Sequence, residues 1–178
     1  MIIVAPGFEE IETVTVVDIL RRSGARVTIA GTEPGPLTGS RNVVIVPDTL
    51  LDETVEKIFD LIVLPGGQPG TTNLLKNPRV LSLITQANEN RSKIAAICAA
   101  PLVLDSVNLL YKKNFTSHPS VENEFDKGKY SQERVVIDEN LITSRSPGTA
   151  MEFAFALVEE LFGKDRLKTV NKGVMAKL

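Results

Sequence analysis

The sequence predicts a doubly wound α/β domain: a mainly parallel sheet with helices on both faces. Short apolar runs such as Leu61–Leu64 and the end of Lys93–Ile97 read as strands buried on both sides. Segments of helical length alternate with those runs, the order expected of βαβ units. The 178 residues fit one domain with a sizeable core. No linker, internal repeat or low-complexity stretch divides them, so residues 1–178 are expected to form a single domain.

Residues 1–5 read as a buried strand, broken by Pro6-Gly7. Residues 10–23 read as a helix that stops at Gly24. The β-branched stretch from Thr13 to Val17 also alternates like a strand, but no turn signal interrupts the segment before Gly24. Apolar residues fall on both sides of this helix: Ile11 and Val14 on one, Val16, Ile19 and Leu20 on the other. It is therefore expected to be covered twice, by its own sheet and by a partner subunit. Residues 26–30 form the next strand, 31–40 a Gly/Pro-rich loop and 43–46 an extended segment. The strand Leu61–Leu64 ends at Pro65-Gly66-Gly67. A helix over 78–90 precedes the strand Lys93–Ile97, and residues 101–110 have helical character. The polar stretch 111–132 has no clear periodicity. Val135–Asp138 and Leu141–Ser144 read as two short strands around a turn at Glu139-Asn140. Residues 149–162 give the clearest helix, with a capping box in Thr149 and Glu152 and a stop at Gly163. A last helix and a tail are expected over 164–178.

Composition excludes several classes of function. Twenty basic and 22 acidic residues give a net charge of −2, and aromatics make up 5% with no Trp. Neither electrostatics nor stacking therefore favours nucleic acid. No apolar run reaches the roughly 20 residues needed to cross a bilayer. Met1 opens a strand-like run without a basic n-region or cleavage site, so no signal peptide is expected. The single cysteine forms no internal disulfide, which fits a reducing, cytoplasmic setting. One Cys, one His and scattered carboxylates match no zinc spacing, so no metal is expected.

Four unusual sequences each follow a predicted strand: residues 6–12 (Pro-Gly-Phe-Glu-Glu-Ile-Glu), 65–67 (Pro-Gly-Gly), 98–101 (Cys-Ala-Ala-Pro) and 145–148 (Arg-Ser-Pro-Gly). In open α/β sheets, ligands bind beyond the C-terminal ends of the strands, where all four would gather. Cys98 is the centre of this convergence. Small residues two before and two after it are what a tight nucleophile elbow requires. A sulfur at a helix N-terminus is expected to have a lowered pKa, although an inert buried cysteine fits the same spacing. Gly66-Gly67 and the residue after the nucleophile, Ala99, offer N–H groups to a developing oxyanion, unless Pro-Gly-Gly is a plain turn. Glu9, Glu10 and Glu12 open the first helix, where carboxylates complement the dipole in any case. One of them aimed at a thiolate would be driven to hold its proton and so serve as a general acid/base. His118, the single histidine, is read either as a surface residue or as a catalytic one.

Together these residues resemble the DJ-one/ThiJ/PfpI superfamily, and most closely its DJ-one branch. The resemblance runs through residues 5–12, 17–22, 63–67, 95–101, 117–119 and 143–149, in order and over nearly the whole chain. It implies a flavodoxin-like sandwich and a homodimer. It also implies Cys98 as nucleophile, Glu12 as the protonated carboxylate beside it, and His118 as the nearby histidine. Gly67 and Ala99 would be the oxyanion donors, and Arg22 and Arg41 would line an anion site across the dimer. The implied activities need no cofactor: conversion of methylglyoxal or glyoxal to hydroxy acids, and removal of early glycation adducts from protein side chains. An oxidative-stress sensor or redox-regulated chaperone using the same cysteine is the alternative. Ala99 stands where the protease-like branch has histidine, so its peptidase triad is not expected. Gly39 and Val46 occupy the positions of the human member's extra cysteines, and Ser146 replaces a glycine usual before Pro147-Gly148. A glutamine-amidotransferase-like hydrolase would need a histidine well downstream of the nucleophile, and none follows His118.

Overall fold

The structure, a computed structural model, describes residues 1–54 and 57–176. In chain order its elements are β1 (Ile2–Val4), α1 (Glu10–Arg22), β2 (Ile29–Gly31), β3 (Leu37–Thr38), β4 (Val44–Ile45), β5 (Thr49–Leu50) and β6 (Leu61–Leu64). There follow α2 (Gly70–Lys76), α3 (Pro78–Glu89), β7 (Lys93–Ile97), α4 (Pro101–Ser106), β8 (Asn114–Phe115) and β9 (Lys129–Tyr130). The chain continues with β10 (Val135–Asp138), β11 (Leu141–Ser144), α5 (Ala150–Phe162) and α6 (Lys164–Val174).

Seven strands form the central sheet in the order β10-β11-β7-β6-β1-β2-β5. Every neighbouring pair is parallel except β10 with β11. Side chains alternate across the sheet, so the apolar runs serve two cores at once. Leu61, Val63, Ala95 and Ile97 face a core built with α1, α5 and α6. Ile62, Leu64, Ile94 and Ala96 face the opposite core, built with α2, α3 and α4. Strand order reverses between β1 and β6, since β1 leads to β2 on one side while β6 lies on the other. The turns after β1 and β6 therefore open at the topological switch point, with β7 next in line.

Helix α1 forms despite its β-branched residues because Val16, Val17, Ile19 and Leu20 are buried against the sheet and α5. Tertiary burial outweighs the small loss of helix propensity. Its other apolar side stays open, with Ile11 55% and Val14 51% exposed.

Several expectations are corrected. The ladder of β2 starts at Ile29, where the Asp48 carboxylate accepts the Ile29 N–H. The Gly/Pro-rich loop carries β3, which pairs with β4 as an antiparallel hairpin. Strand β5 and helix α2 had no legible signal: β5 is two residues long, and α2 begins at Gly70 with no side-chain cap. The capping box of Thr149 with Glu152 does not form. Thr149 Oγ1 instead accepts the N–H groups of Arg145 and Ser146, and Glu152 pairs with Arg134. A 3-10 turn over Pro147–Thr149 then leads into α5, which stops at Gly163 as expected. In the polar stretch 111–132, β8 pairs with β9 and brackets a 3-10 turn, Pro119–Glu124. Fully buried Phe115 anchors this excursion, stacking with Phe125 at 4.7 Å and Tyr130 at 5.6 Å between ring centroids. The expected tail at 177–178 lies outside the described residues. No helix among the described residues is long and apolar enough to cross a membrane.

Candidate active site

Cys98 follows β7 with φ +65°, a left-handed conformation that costs a non-glycine residue about 1–3 kcal/mol. Its neighbours hold that turn from both sides. The Cys98 N–H donates to the Ser144 carbonyl at the end of β11 (3.0 Å), and the Cys98 carbonyl accepts the His118 N–H (2.8 Å). Pro101 then starts α4 in the first-turn position, where its missing N–H costs nothing. The sulfur-bearing side chain is partly exposed, so it is not sealed in the core.

Glu12 arrives from the first turn of α1 and is completely buried. Its Oε2 accepts the Gly66 N–H at 2.8 Å, while Oε1 has no aligned hydrogen-bond partner. Gly66 is required by close approach: a Cβ there would lie 2.6 Å from Cys98 Cβ and 3.0 Å from Glu12 Oε2. Three backbone segments thus converge on one carboxyl and one thiol. Burial, the largest cause, pushes the Glu12 carboxyl up to about 8, against the pull of the Gly66 N–H and with help from the charge of Glu9. At neutral pH Glu12 holds its proton, and with Oε2 occupied by Gly66 the free oxygen Oε1 is the place for it.

The expected depression of the thiol is not found. Burial, then the charge of Glu12 and its side-chain contact, push Cys98 up to about 12, while the N–H groups of Ala99 and Gly67 pull it down. A helix dipole does little here, because α4 has six residues and starts three positions after the sulfur. Two of the three raising causes require an ionised Glu12, and they vanish while that carboxyl keeps its proton. Cys98 and Glu12 therefore titrate as a coupled pair rather than as independent groups.

The remaining predicted residues fall into two sets. The Gly67 and Ala99 N–H groups both act on the sulfur, whereas the Gly66 N–H is taken by Glu12 and is not free for an oxyanion. His118 joins the site through its backbone. Its Nδ1 accepts the Ser120 N–H at 3.1 Å and contacts Ser120 Oγ at 2.7 Å, capping the following 3-10 turn. Only Nε2 is left for proton traffic. Arg22 lies ten residues beyond Glu12, roughly 15 Å along the helix, and pairs with Asp18. Arg41 lies in the β3–β4 loop, where its N–H donates to Glu10 and its guanidinium to the Ser40 carbonyl. Within one protomer neither arginine is brought to Cys98 by a hydrogen bond or ion pair among the described residues. The described residues contain no group of three or more His, Cys, Asp and Glu able to hold a metal. Sequence reasoning missed one part: Ser144, which gives only its carbonyl and so leaves no side-chain signal.

The family model described as DJ-1/PfpI family matches residues 1–160. The chain belongs to the DJ-1/PfpI family. Protein dj-1beta of Drosophila melanogaster is 42% identical over 178 residues, covering 98% of this chain and 95% of that protein. The Parkinson disease protein 7 homolog of Danio rerio is 40% identical, covering 99% and 96%. A Caenorhabditis elegans relative named glutathione-independent glyoxalase DJR-1.2 is 37% identical over 92% of this chain and 88% of its own. The crystal structure of Drosophila melanogaster DJ-1beta superposes with a TM-score of 0.97 at 41% identity, over 99% of this chain and 97% of that one. Toxoplasma gondii DJ-1, in a structure described as oxidized, superposes with a TM-score of 0.96 at 31% identity, over 99% and 97%. The flavodoxin-like sandwich of the DJ-1/PfpI family is accordingly the fold of this chain, with its switch point at the turns after β1 and β6, beside the β7 turn that carries Cys98.

Proposed function

We propose that this chain is a cysteine-dependent enzyme acting on reactive α-oxoaldehydes, with methylglyoxal as substrate and lactate as product, and on early adducts of such aldehydes with protein side chains. The observation that carries this reading is the pairing of a partly exposed sulfur at a strained elbow with a buried carboxyl that keeps its proton. The glyoxalase named among the relatives supports the same chemistry.

In the first step Cys98 Sγ, reacting from the minor form of the coupled pair in which the sulfur is ionised and Glu12 keeps its proton, forms a bond to the aldehyde carbon. The carbonyl oxygen takes the electron pair, is met by the Gly67 and Ala99 N–H groups, and receives the proton of Glu12. The resulting Glu12 carboxylate removes the hydrogen of the former aldehyde carbon as a proton, giving an enediolate with its charge on the neighbouring oxygen. Return of that proton to the neighbouring carbon, with the hydroxyl proton passing from the first oxygen to the second, leaves a lactoyl thioester on Cys98. Water then breaks the C–S bond, releasing lactate and restoring the thiol. One water is consumed, one carbon is oxidised and its neighbour reduced, so no outside oxidant enters.

Cys98→Ala is expected to abolish lactate formation from methylglyoxal, followed by mass spectrometry beside the wild type. Equal lactate from both proteins would overturn the assignment. A second reading, a redox sensor, is favoured by the partial exposure of the same sulfur and by the oxidized state named for the Toxoplasma gondii relative. It requires dilute peroxide to modify Cys98 and change stability or partner binding, and an oxidised protein that behaves like the reduced one defeats it. A homodimer fits the exposed apolar residues Ile11 and Val14 on α1 together with Val43, Val44 and Val46 at the neighbouring hairpin.

A further inference from the structure

Glu9 has no catalytic role in that scheme, yet it binds the same residue as Glu12, Gly66, through the peptide unit on its other side. The Glu9 N–H donates to the Gly66 carbonyl at 2.9 Å, and the Gly66 N–H donates to Glu12 Oε2 at 2.8 Å. The Glu9 side chain turns back to α1, where Oε2 accepts the Glu12 N–H at 2.8 Å. Its own carbonyl accepts Thr13 Oγ1 at 2.8 Å. Glutamate is not a favoured N-cap, since Ser, Thr, Asp and Asn reach those N–H groups with shorter side chains. Its charge complements the helix dipole, and its place beside Glu12 gives that charge a second consequence.

We infer that Glu9 is a positioning residue for this site, whose carboxylate fixes the first turn of α1 against Gly66 and keeps the shared proton on Glu12 rather than on Cys98. The inference rests on the acid–thiolate pairing proposed above.

Glu12 faces Glu9 on its own helix and Cys98 across the β7 turn, while the β6 turn offers it only the Gly66 N–H. Cys98 faces Glu12 and the N–H groups of Ala99 and Gly67, with His118 joined through its backbone. Burial raises the Glu9 carboxyl above its ordinary value, while the Glu12 and Ile11 N–H groups and, from the β3–β4 loop, the charge of Arg41 pull it back toward the ionised form against the charge of Glu10. A first proton leaves the pair from either the carboxyl or the thiol. The Glu9 charge opposes ionisation of the carboxyl and is not among the groups that perturb the sulfur. It therefore penalises one route selectively and shifts the balance of the pair toward charge on the sulfur, the form a nucleophile needs.

The test measures the rate of Cys98 alkylation by iodoacetamide from pH 5 to pH 9 in the full chain, for wild type, Glu9→Gln, Glu9→Asp and Glu12→Gln. Glutamine keeps a cap acceptor but loses the charge; aspartate keeps both. Glu9→Gln is expected to slow alkylation at pH 7 by about threefold or more, the effect of half a pKa unit of bias. Its melting temperature should stay near that of wild type, and Glu9→Asp should restore the rate. A Glu9→Gln protein that reacts like wild type overturns the inference, and so does an equal slowing in both Glu9 variants, which would mark a purely structural cap. Glu12→Gln separates the two levels of the argument. Alkylation unchanged in Glu12→Gln sinks the acid–thiolate pairing itself, whereas a changed Glu12→Gln beside an unchanged Glu9→Gln sinks the role of Glu9 alone.

Discussion

Replacing Glu12 with glutamine is expected to stabilise the fold, by an amount that grows as pH rises. The folded carboxyl releases its proton at about 8, against 4.5 for an ordinary glutamate. Above 4.5 the unfolded chain therefore binds fewer protons than the folded one, and stability falls with rising pH until the folded carboxyl ionises as well. At about 1.4 kcal/mol per pH unit, the wild-type chain gives up roughly 3 kcal/mol by pH 7 and roughly 4 kcal/mol by pH 8, where the folded carboxyl is half ionised. Glutamine still offers an oxygen to the Gly66 N–H and does not titrate, so it escapes that loss. The variant should match wild type within about 1 kcal/mol at pH 5 and exceed it by roughly 3 kcal/mol at pH 7. For a chain of this size the latter corresponds to a rise of about 6–12 °C in melting temperature. Urea unfolding of both proteins at pH 5, 6, 7 and 8 reads the gap directly. A gap that stays flat over that range would refute the reasoning, because a buried neutral carboxyl must leave this signature. Lactate formation should disappear in the same variant, since an amide cannot carry the proton between the two carbons.

Gly66→Ala tests the close approach at the centre of the site. A methyl group there meets Cys98 Cβ at 2.6 Å and Glu12 Oε2 at 3.0 Å, which should cost about 1–3 kcal/mol and, by separating the pair, slow turnover by about 100-fold. A protein with unchanged melting temperature and activity would contradict it. Ile11→Lys combined with Val14→Lys places two charges on the exposed face of α1, and light scattering should then report a monomer where wild type gives a dimer. An unchanged mass would place the interface elsewhere.

Legibility in the sequence followed the physics of each element. The sheet strands β6, β7, β10 and β11 were readable with their bounds, because each is four or five residues long and sits between turn signals. The two-residue strands were not, since a pair of residues has no period to detect and owes its geometry to a partner elsewhere in the chain. The capping box at Thr149 failed for a related reason. Its motif was present, but Arg134 claimed Glu152 from β10's approach and Thr149 turned toward the residues before it. Helix α1 was readable up to its stop before Gly24 because no turn signal breaks the segment, and its burial against the sheet and α5 bears out helix over strand.

The sequence by itself determined the alternation of strands and helices, the small-residue elbow around Cys98 and the carboxylates that open α1. Those are local: they depend on backbone sterics and on side-chain periodicity within a few residues. Charge and spacing left Glu9, Glu10 and Glu12 open, and the family resemblance pointed to Glu12; only the tertiary structure decided that Gly66 gives its N–H to that carboxyl and that the thiol is raised rather than lowered. Proton affinity is set by burial and by charges a few ångströms away, and here those come from turns after three different strands.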